Sequence, residues 1–245
     1  MTASVRNLLA IRCTALGLHL DDALLDRCAR LATVQRADPL YLSLSKISSD
    51  EDFVDKHLLD ALAVLALDLP ALQAPADLVD LGTGAGYPAL PLALALPHCC
   101  VHAVDAKVKA VGHLGRVAEQ MGIANLRPRQ ARAEDLGRDS EWREQRHVVV
   151  ARAVATVAVL AELCLPLLRP GGTLILFKGP DVAAEVAQAT GAFTKLGVAE
   201  TAVRVIHLAP PRLPVARSFV VITKTRPVQA AFPRRAGIPE RKPLT

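Results

Sequence analysis

Residues 80 to 88 read Asp80-Leu81-Gly82-Thr83-Gly84-Ala85-Gly86-Tyr87-Pro88. Three glycines at alternate positions let a backbone turn tightly and come close to a ligand with no Cβ in the way. A loop that cradles the pyrophosphate of a nicotinamide cofactor needs its third glycine at position 87, where this chain has Tyr. The spacing suits a ligand that presents an amino acid and a nucleoside, and Asp80 then lies near the ligand's ammonium group. The next apolar run ends in Asp105, 25 residues after Asp80. A carboxylate there can accept hydrogen bonds from both ribose hydroxyls, or it can cap the helix that follows, or both.

Ala133-Glu134-Asp135 stand where a third strand gives way to a loop. A backbone amide and a carboxylate at that point could read the edge of an adenine, although such a triplet also suits a surface turn. Arg152 ends a fourth strand, at the sheet edge where open α/β sheets bind ligands; its other reading is a salt bridge to a loop acid. The glycine spacing with an acid upstream resembles the loop that binds S-adenosyl-L-methionine. Asp80, Gly82, Gly84, Gly86, Asp105, Ala133, Glu134 and Arg152 are therefore candidate cofactor residues.

These residues need a scaffold that brings strand ends together. From residue 77 short apolar runs alternate with longer helical stretches: strands at 77–81, 101–105, 127–131, 148–151, 173–177, 202–208 and 218–224, and helices at 86–96, 107–121, 156–168 and 181–196. That alternation specifies a parallel sheet with helices on both faces, and the last two strands, with no helix between them, must pair antiparallel. Ahead of it, 4–16, 21–36 and 51–67 have helical periodicity, with Asp21 and Asp22 at an N-cap and Phe53, Leu58, Leu62 and Leu65 on an inner face. The expected organisation is an N-terminal helical extension over 1–70, an α/β cofactor domain over 71–226 and a basic tail over 227–245.

With 245 residues, 51% hydrophobic and 22% charged, the chain can build a core, and disordered or fibrous classes are excluded. The five cysteines (Cys13, Cys28, Cys99, Cys100, Cys164) include no Cys-x-x-Cys pair and no His at ligand spacing. They read as small buried hydrophobes of a reducing, cytoplasmic compartment, and no metal is expected. Arg6 and Arg12 interrupt the first twenty residues, against a secretory signal, while the acid-free amphipathic start leaves an organellar transit peptide open. The uncharged stretch 81–104 contains three Gly, three Pro and two His, so it reads as a buried α/β segment and not a membrane helix. Nearly all of the +5 net charge sits in the last twenty residues, where Arg226, Arg234, Arg235, Arg241 and Lys242 face only Glu240. Three prolines and a glycine in 232–244 imply an extended, mobile tail presenting cations to a polyanion, or else a merely solubilising one.

Four segments together carry a resemblance: Lys56-His57-Leu58-Leu59-Asp60, Gly82 to Pro91, Ala151-Arg152-Ala153-Val154, and Pro233 to Leu244. From about residue 40 to the C-terminus the chain resembles the bacterial small-subunit ribosomal RNA methyltransferase G family, also called glucose-inhibited division protein B. The resemblance implies a class I methyltransferase (Rossmann-like) fold and S-adenosyl-L-methionine-dependent methylation of guanine N7 in 16S ribosomal RNA. It implies cofactor contacts at Gly82, Tyr87, Ala133, Glu134 and Arg152; the tail's cations Arg234, Arg235, Arg241 and Lys242 are, by their charge, the candidate RNA contacts. The expected partner is 16S ribosomal RNA or the small-subunit precursor, for a monomer that touches no membrane. Guanine N7 has a free lone pair and no proton to lose, so no catalytic base is expected. Four positions depart from the family pattern: Ser43 and Ser45 in Ser43-Leu44-Ser45 stand for the Asn and Thr of Asn-Leu-Thr, His147 for an Asp, and Tyr87 for a Phe. His57 and Asp60, three apart on a helix, could bond to each other, with His57 either structural or catalytic. Rival readings are a methyltransferase for a small molecule or protein, and a non-catalytic RNA-binding protein of the same fold.

Overall fold

Valines and leucines crowd both faces of the central strands, and a sheet so sequenced has to be covered on both sides. The computed structural model describes residues 2–152, 155–210 and 213–245. Its seven strands are β1 (Asp77–Leu81), β2 (Cys100–Asp105), β3 (Leu126–Gln130), β4 (Arg146–Ala151), β5 (Leu168–Lys178), β6 (Val203–Leu208) and β7 (Arg217–Thr223), in the order β3-β2-β1-β4-β5-β7-β6. The first five pair in parallel, while β7 runs antiparallel to both β5 and β6. This is the class I methyltransferase plan expected from the sequence. Chain order reverses between β1 and β4, and that switch opens a crevice at the carboxyl ends of the strands.

Alternation along the strands sorts the core into two layers. Leu78, Val148, Val150 and Ile175 pack with the N-terminal helices Thr2–Leu16 and Asp22–Ala37 and with Ala89–Ala95 and Val108–Met121. Val79, Val149, Leu174 and Leu176 pack with Val157–Cys164, with Phe193, and with Val228 and Leu244 of the tail. Val148, Val149 and Val150 are all fully buried, each contributing about 1.5–3 kcal/mol of transfer free energy.

The N-terminal helices share one apolar cluster with the sheet, running from Val5 to Val221. Asp21, not Asp22, is the N-cap, accepting from Leu24 N at 2.7 Å. At the break after this helix, Asp38 accepts two bonds from Arg116 (2.7 and 3.1 Å) and lies 3.1 Å from His113. The Arg116 guanidinium holds the Asp38 carboxyl well below the usual carboxylate range. The helical stretch 50–67 is not uniform: Val54–Leu59 is π-helical and Ala63–Leu67 is a 3-10 turn, a local widening of the kind often found at functional sites.

Three local expectations change. The Pro170-Gly171-Gly172 segment is a bulged part of β5, not a turn before it: Gly171, at φ +80°, and Gly172 exchange backbone bonds with Lys224. Ala89–Ala95 starts three residues later than the glycine spacing implies, because the loop occupies 82–88. The tail is neither extended throughout nor free. It contains a helical turn, Ile238–Arg241, since Pro239 falls at a first-turn position where a missing N–H costs nothing, and it is anchored along its length. No helix among the described residues is long and apolar enough to cross a membrane.

Candidate active site

The glycine loop hangs from the ends of two strands. Gly82 N and Thr83 N both donate to Val104 O (2.9 and 3.0 Å), and Gly84 N donates to Asp105 Oδ2 at 2.9 Å. The three glycines do different work. Gly82 (φ +78°) and Gly84 (φ +57°) adopt left-handed conformations, and a Cβ at either would point into open space. Gly86 (φ +100°) faces inward, where a Cβ would collide with Leu90 and Leu114. Two glycines thus open the crevice and the third lets the loop pack on the core.

Asp80 does not reach the crevice. Its side chain is fully buried, and Oδ2 accepts from Ala89 N at 3.0 Å, holding the start of the next helix. Burial pushes its carboxyl up to about 6, against the pull of Thr83 and the Ala89 N–H. The expectation that it would face a ligand ammonium is corrected by this placement: with no exposed surface it can act only by shaping the loop. Tyr87 is buried as well. Its ring stacks on His57 with centroids 3.8 Å apart, and its hydroxyl donates to Gln35 Oε1. Gln35 also donates to Ala85 O at 2.6 Å, so one buried amide from the N-terminal helices holds the loop from behind.

Asp105 projects into the crevice. Its two oxygens accept from Gly84 N (2.9 Å) and Lys107 N (2.8 Å), which fixes the carboxylate and leaves further lone pairs. The helix-cap reading is corrected: Val108–Met121 has Lys107 at its N-cap, with no capping side chain. The crevice itself, open to solvent, is lined by Leu81, Gly82, Asp105, Ala133, Glu134 and Glu240 among others. Ala106, Ala131, Ala155, Leu160 and Leu163 supply the apolar wall that a nucleobase needs. Of the sequence candidates, then, Gly82, Asp105, Ala133 and Glu134 meet in one cleft. Asp80, Gly86 and Tyr87 support it from behind.

Arg152 sits beside this cleft, engaged with the N-terminal extension. Nη1 donates to Lys56 O (2.7 Å), in the π-helical segment, and to Asp60 Oδ2 (2.9 Å), while Arg217 Nε donates to Asp60 Oδ1 (2.6 Å). The buried Asp60 carboxylate is thus bracketed by two guanidiniums, and Arg217 is a neighbour that no local motif announces. His57 and Asp60 do not bond to each other. His57 Nε2 is 2.9 Å from Ser45 Oγ instead, and burial with Arg152 nearby lowers its pKa to about 3, so the ring is neutral. Ser45 therefore does occupy its position with a useful hydroxyl. Ala153 and Val154, the rest of that motif, lie outside the described residues.

The tail closes the far side. Arg234 holds the fully buried Glu162 with Nε to Oε1 (2.8 Å) and Nη2 to Oε2 (2.6 Å), and its backbone N–H also donates to Oε1 (2.8 Å). Arg143 donates to the carbonyls of Phe232 and Val228, and Arg138 to that of Pro233. Gly137 has to be Gly, because a Cβ would fall 2.6 Å from Pro233 Cγ. Gly237 N then donates to Glu134 Oε1 at 2.9 Å, and the turn that follows brings Glu240 to the cleft. Residues far downstream of the glycine loop thus form a wall of the candidate site. Arg235 makes no ion pair among the described residues, and Arg241 and Lys242 are exposed.

Comparison with known proteins agrees with this geometry. Residues 32–213 match the family model for rRNA small subunit methyltransferase G. The protein called ribosomal RNA small subunit methyltransferase G in Roseiflexus sp. (strain RS-1) is 40% identical over 94% of this chain and 96% of its own. Its namesake in Chloroflexus aggregans is 40% identical over the whole of both chains. Among solved structures, Aeropyrum pernix fibrillarin, with natively bound S-adenosyl-L-methionine, has a TM-score of 0.51 at 17% identity, covering 68% of this chain and 74% of that one. A Methanococcus maripaludis protein described as an S-adenosyl-L-methionine-dependent methyltransferase has a TM-score of 0.53 at 14% identity, covering 72% of this chain and 91% of that one. The structural likenesses establish the fold, and the sequence matches, spanning nearly all of the chain, establish that it belongs to the ribosomal RNA small subunit methyltransferase G family.

Proposed function

We propose that this chain transfers the methyl group of S-adenosyl-L-methionine to N7 of a guanine in 16S ribosomal RNA. The observation that carries the reading is the cleft itself: Gly82 and Gly84 have room where a Cβ would stand, and Asp105 is held at its floor by two backbone amides, in a chain of this family. The donor set fits the cofactor. Asp105 offers acceptors to ribose hydroxyls, the alanine and leucine wall suits an adenine face, and Glu134 with Ala133 N–H offers an acceptor and a donor to its edge.

When bound, the cofactor supplies an electrophilic sulfonium methyl group. The protein's task is alignment: Gly82 and Gly84 admit the ligand close to the backbone, and Asp105 orients it. The incoming guanine loses no proton, so the reaction requires no general base. Asp60 holds Arg152 toward Tyr87, whose ring lies 5.4 Å from the guanidinium, leaving Nε and Nη2 free of protein partners among the described residues. We assign Arg152 to the cofactor side of the cleft. Arg235, Arg241 and Lys242 are assigned to RNA phosphates, which position the substrate without reading its sequence, while Arg234 acts as the pin of the tail.

The test is incubation with labelled S-adenosyl-L-methionine and either naked undermethylated 16S RNA or assembled small subunits, followed by nucleoside mapping. The expected product is one N7-methylguanosine; label in protein or in a small molecule would remove the RNA reading. Calorimetric titration with the cofactor separates this enzyme from a non-catalytic RNA-binding protein.

A further inference from the structure

The opposite end of the sheet carries a second constellation that methyl transfer does not use. In the register of the parallel pair, Asp77 of β1 is the partner of Cys100 of β2, and His102, two residues on, points to the same face. Cys100 Sγ lies 3.6 Å from His102 Nε2, which lies 3.7 Å from Asp77 Oδ1, and the three ligand atoms are all within 4.8 Å of one another. Tetrahedral bonds of about 2.3 Å to sulfur and about 2.05 Å to nitrogen would separate those two atoms by about 3.5–3.6 Å, and the nitrogen–oxygen edge would be about 3.4 Å. Two of the three edges thus lie close to tetrahedral values, and the third ligand pair is within 4.8 Å.

From this geometry we infer that Asp77, Cys100 and His102 form a binding site for a single divalent transition-metal ion of the Zn²⁺ or Co²⁺ type, with a fourth position open to water. The donor set of one thiolate, one imidazole and one carboxylate selects such ions over Mg²⁺ or Ca²⁺. Support for the ligands is already built. The other Asp77 oxygen, Oδ2, lies 3.9 Å from His147 Nδ1 and 4.0 Å from Arg146, and His147 Nδ1 accepts the Asp77 N–H at 3.2 Å. His147 is the residue that replaces the Asp common in the family. The His102 ring packs edge-on against Trp142, which fixes its plane. Arg146 lies over the same indole with its charge opposed by Asp77, so exchange of the Cys100 proton for a dication adds a single positive charge there. The hollow lined by Asp77, His98, Cys100 and His147 gives the ion a path from solvent. Thiolate ligation displaces the Cys100 proton on binding. The site ties the start of β1 to the start of β2, at the end of the sheet away from the cleft, which makes it a structural clamp.

Cobalt(II) provides the test, because a sulfur-to-cobalt charge-transfer band reports thiolate ligation directly and d–d bands report tetrahedral geometry. Chelator-stripped full-length protein titrated with Co²⁺ is expected to develop both sets of bands, saturating at one equivalent and bleaching on addition of Zn²⁺. Cys100→Ser should lose the charge-transfer band, and His102→Ala should lose the rise in melting temperature that Zn²⁺ gives the wild type. Circular dichroism of the metal-free variants checks that they fold. Wild-type protein that shows no charge-transfer band in excess Co²⁺, or a band that survives Cys100→Ser, would overturn the assignment.

Discussion

Replacing Arg234 by Ala separates two roles that the basic tail could have. Three side-chain hydrogen bonds to Glu162 and one to Lys242 O are lost, and a fully buried carboxylate keeps, among the described residues, only the Arg234 backbone N–H as partner. Removing one member of a buried pair typically costs about 3–5 kcal/mol. The guanidinium here is 26% exposed, so water can partly replace it, and about 2–4 kcal/mol is the working figure. An unfolding entropy of about 2.1 cal/mol/K per residue makes each kcal/mol worth roughly 2 °C for a chain of this length, so the melting temperature should fall by about 4–8 °C. Cofactor affinity should fall with it, by about three- to tenfold, because Gly237 and Glu240 reach the cleft only through the docked tail. Arg235→Ala is the matched control: its melting temperature should change by under about 0.5 kcal/mol equivalent, while the salt slope of RNA binding drops by about one unit. Differential scanning calorimetry, cofactor titration and RNA binding at several salt concentrations on the same preparations check all three. An Arg234→Ala protein that melts with wild type and loses salt slope would place Arg234 on phosphate and refute the pinned tail.

Gly82→Val should abolish cofactor binding in a sheet that still folds, since its side chain enters the cleft from a left-handed backbone; Gly86→Ala should instead lower stability, through Leu90 and Leu114. Both are separated by comparing calorimetric affinity with melting temperature. Asp105→Ala should weaken the cofactor by about 1–3 kcal/mol, and a 2′-deoxy analogue should bind wild type less well but the variant equally; equal discrimination by both would remove Asp105 from the ribose. Asp80 has its folded pKa raised to about 6, so the native state holds the proton more tightly than the unfolded chain does, and this group's contribution to stability falls as pH rises from about 4 to 6. Asp80→Asn should therefore flatten that part of the stability profile and raise stability at neutral pH by about 1–3 kcal/mol; an unchanged profile would show that Asp80 titrates normally.

Local features were legible in the residues alone. The positions of the central strands followed from short apolar runs, because a strand buried on both faces has to be apolar at every position, as Val148, Val149 and Val150 are. The glycine loop was readable because its demands are local: the φ values at Gly82 and Gly84, and the bond from Ala89 N to Asp80 nine residues earlier, depend on the segment itself. The resemblance added the reaction. What the individual glycines do was not readable, since the inward packing of Gly86 is set by Leu114 of a different helix together with Leu90.

Pairings across long separations belong to the tertiary structure. Gln35 meets Tyr87 across 52 positions, and Arg217 meets Asp60 across 157. A short motif cannot encode such partners, because they are chosen by which helix lies on which face. Composition showed that the tail was basic and that its prolines forbid a long helix, yet whether Arg234 faced water or protein turned on Glu162, 72 residues away and buried in another helix. The same holds for Asp77, Cys100 and His102. Spacing along the chain marked none of them as a ligand, and only the register of β1 against β2 sets a carboxylate beside a thiol and an imidazole. Hydrophobic periodicity determines which elements form, whereas register and packing determine which polar groups meet, and chemistry depends on the meeting.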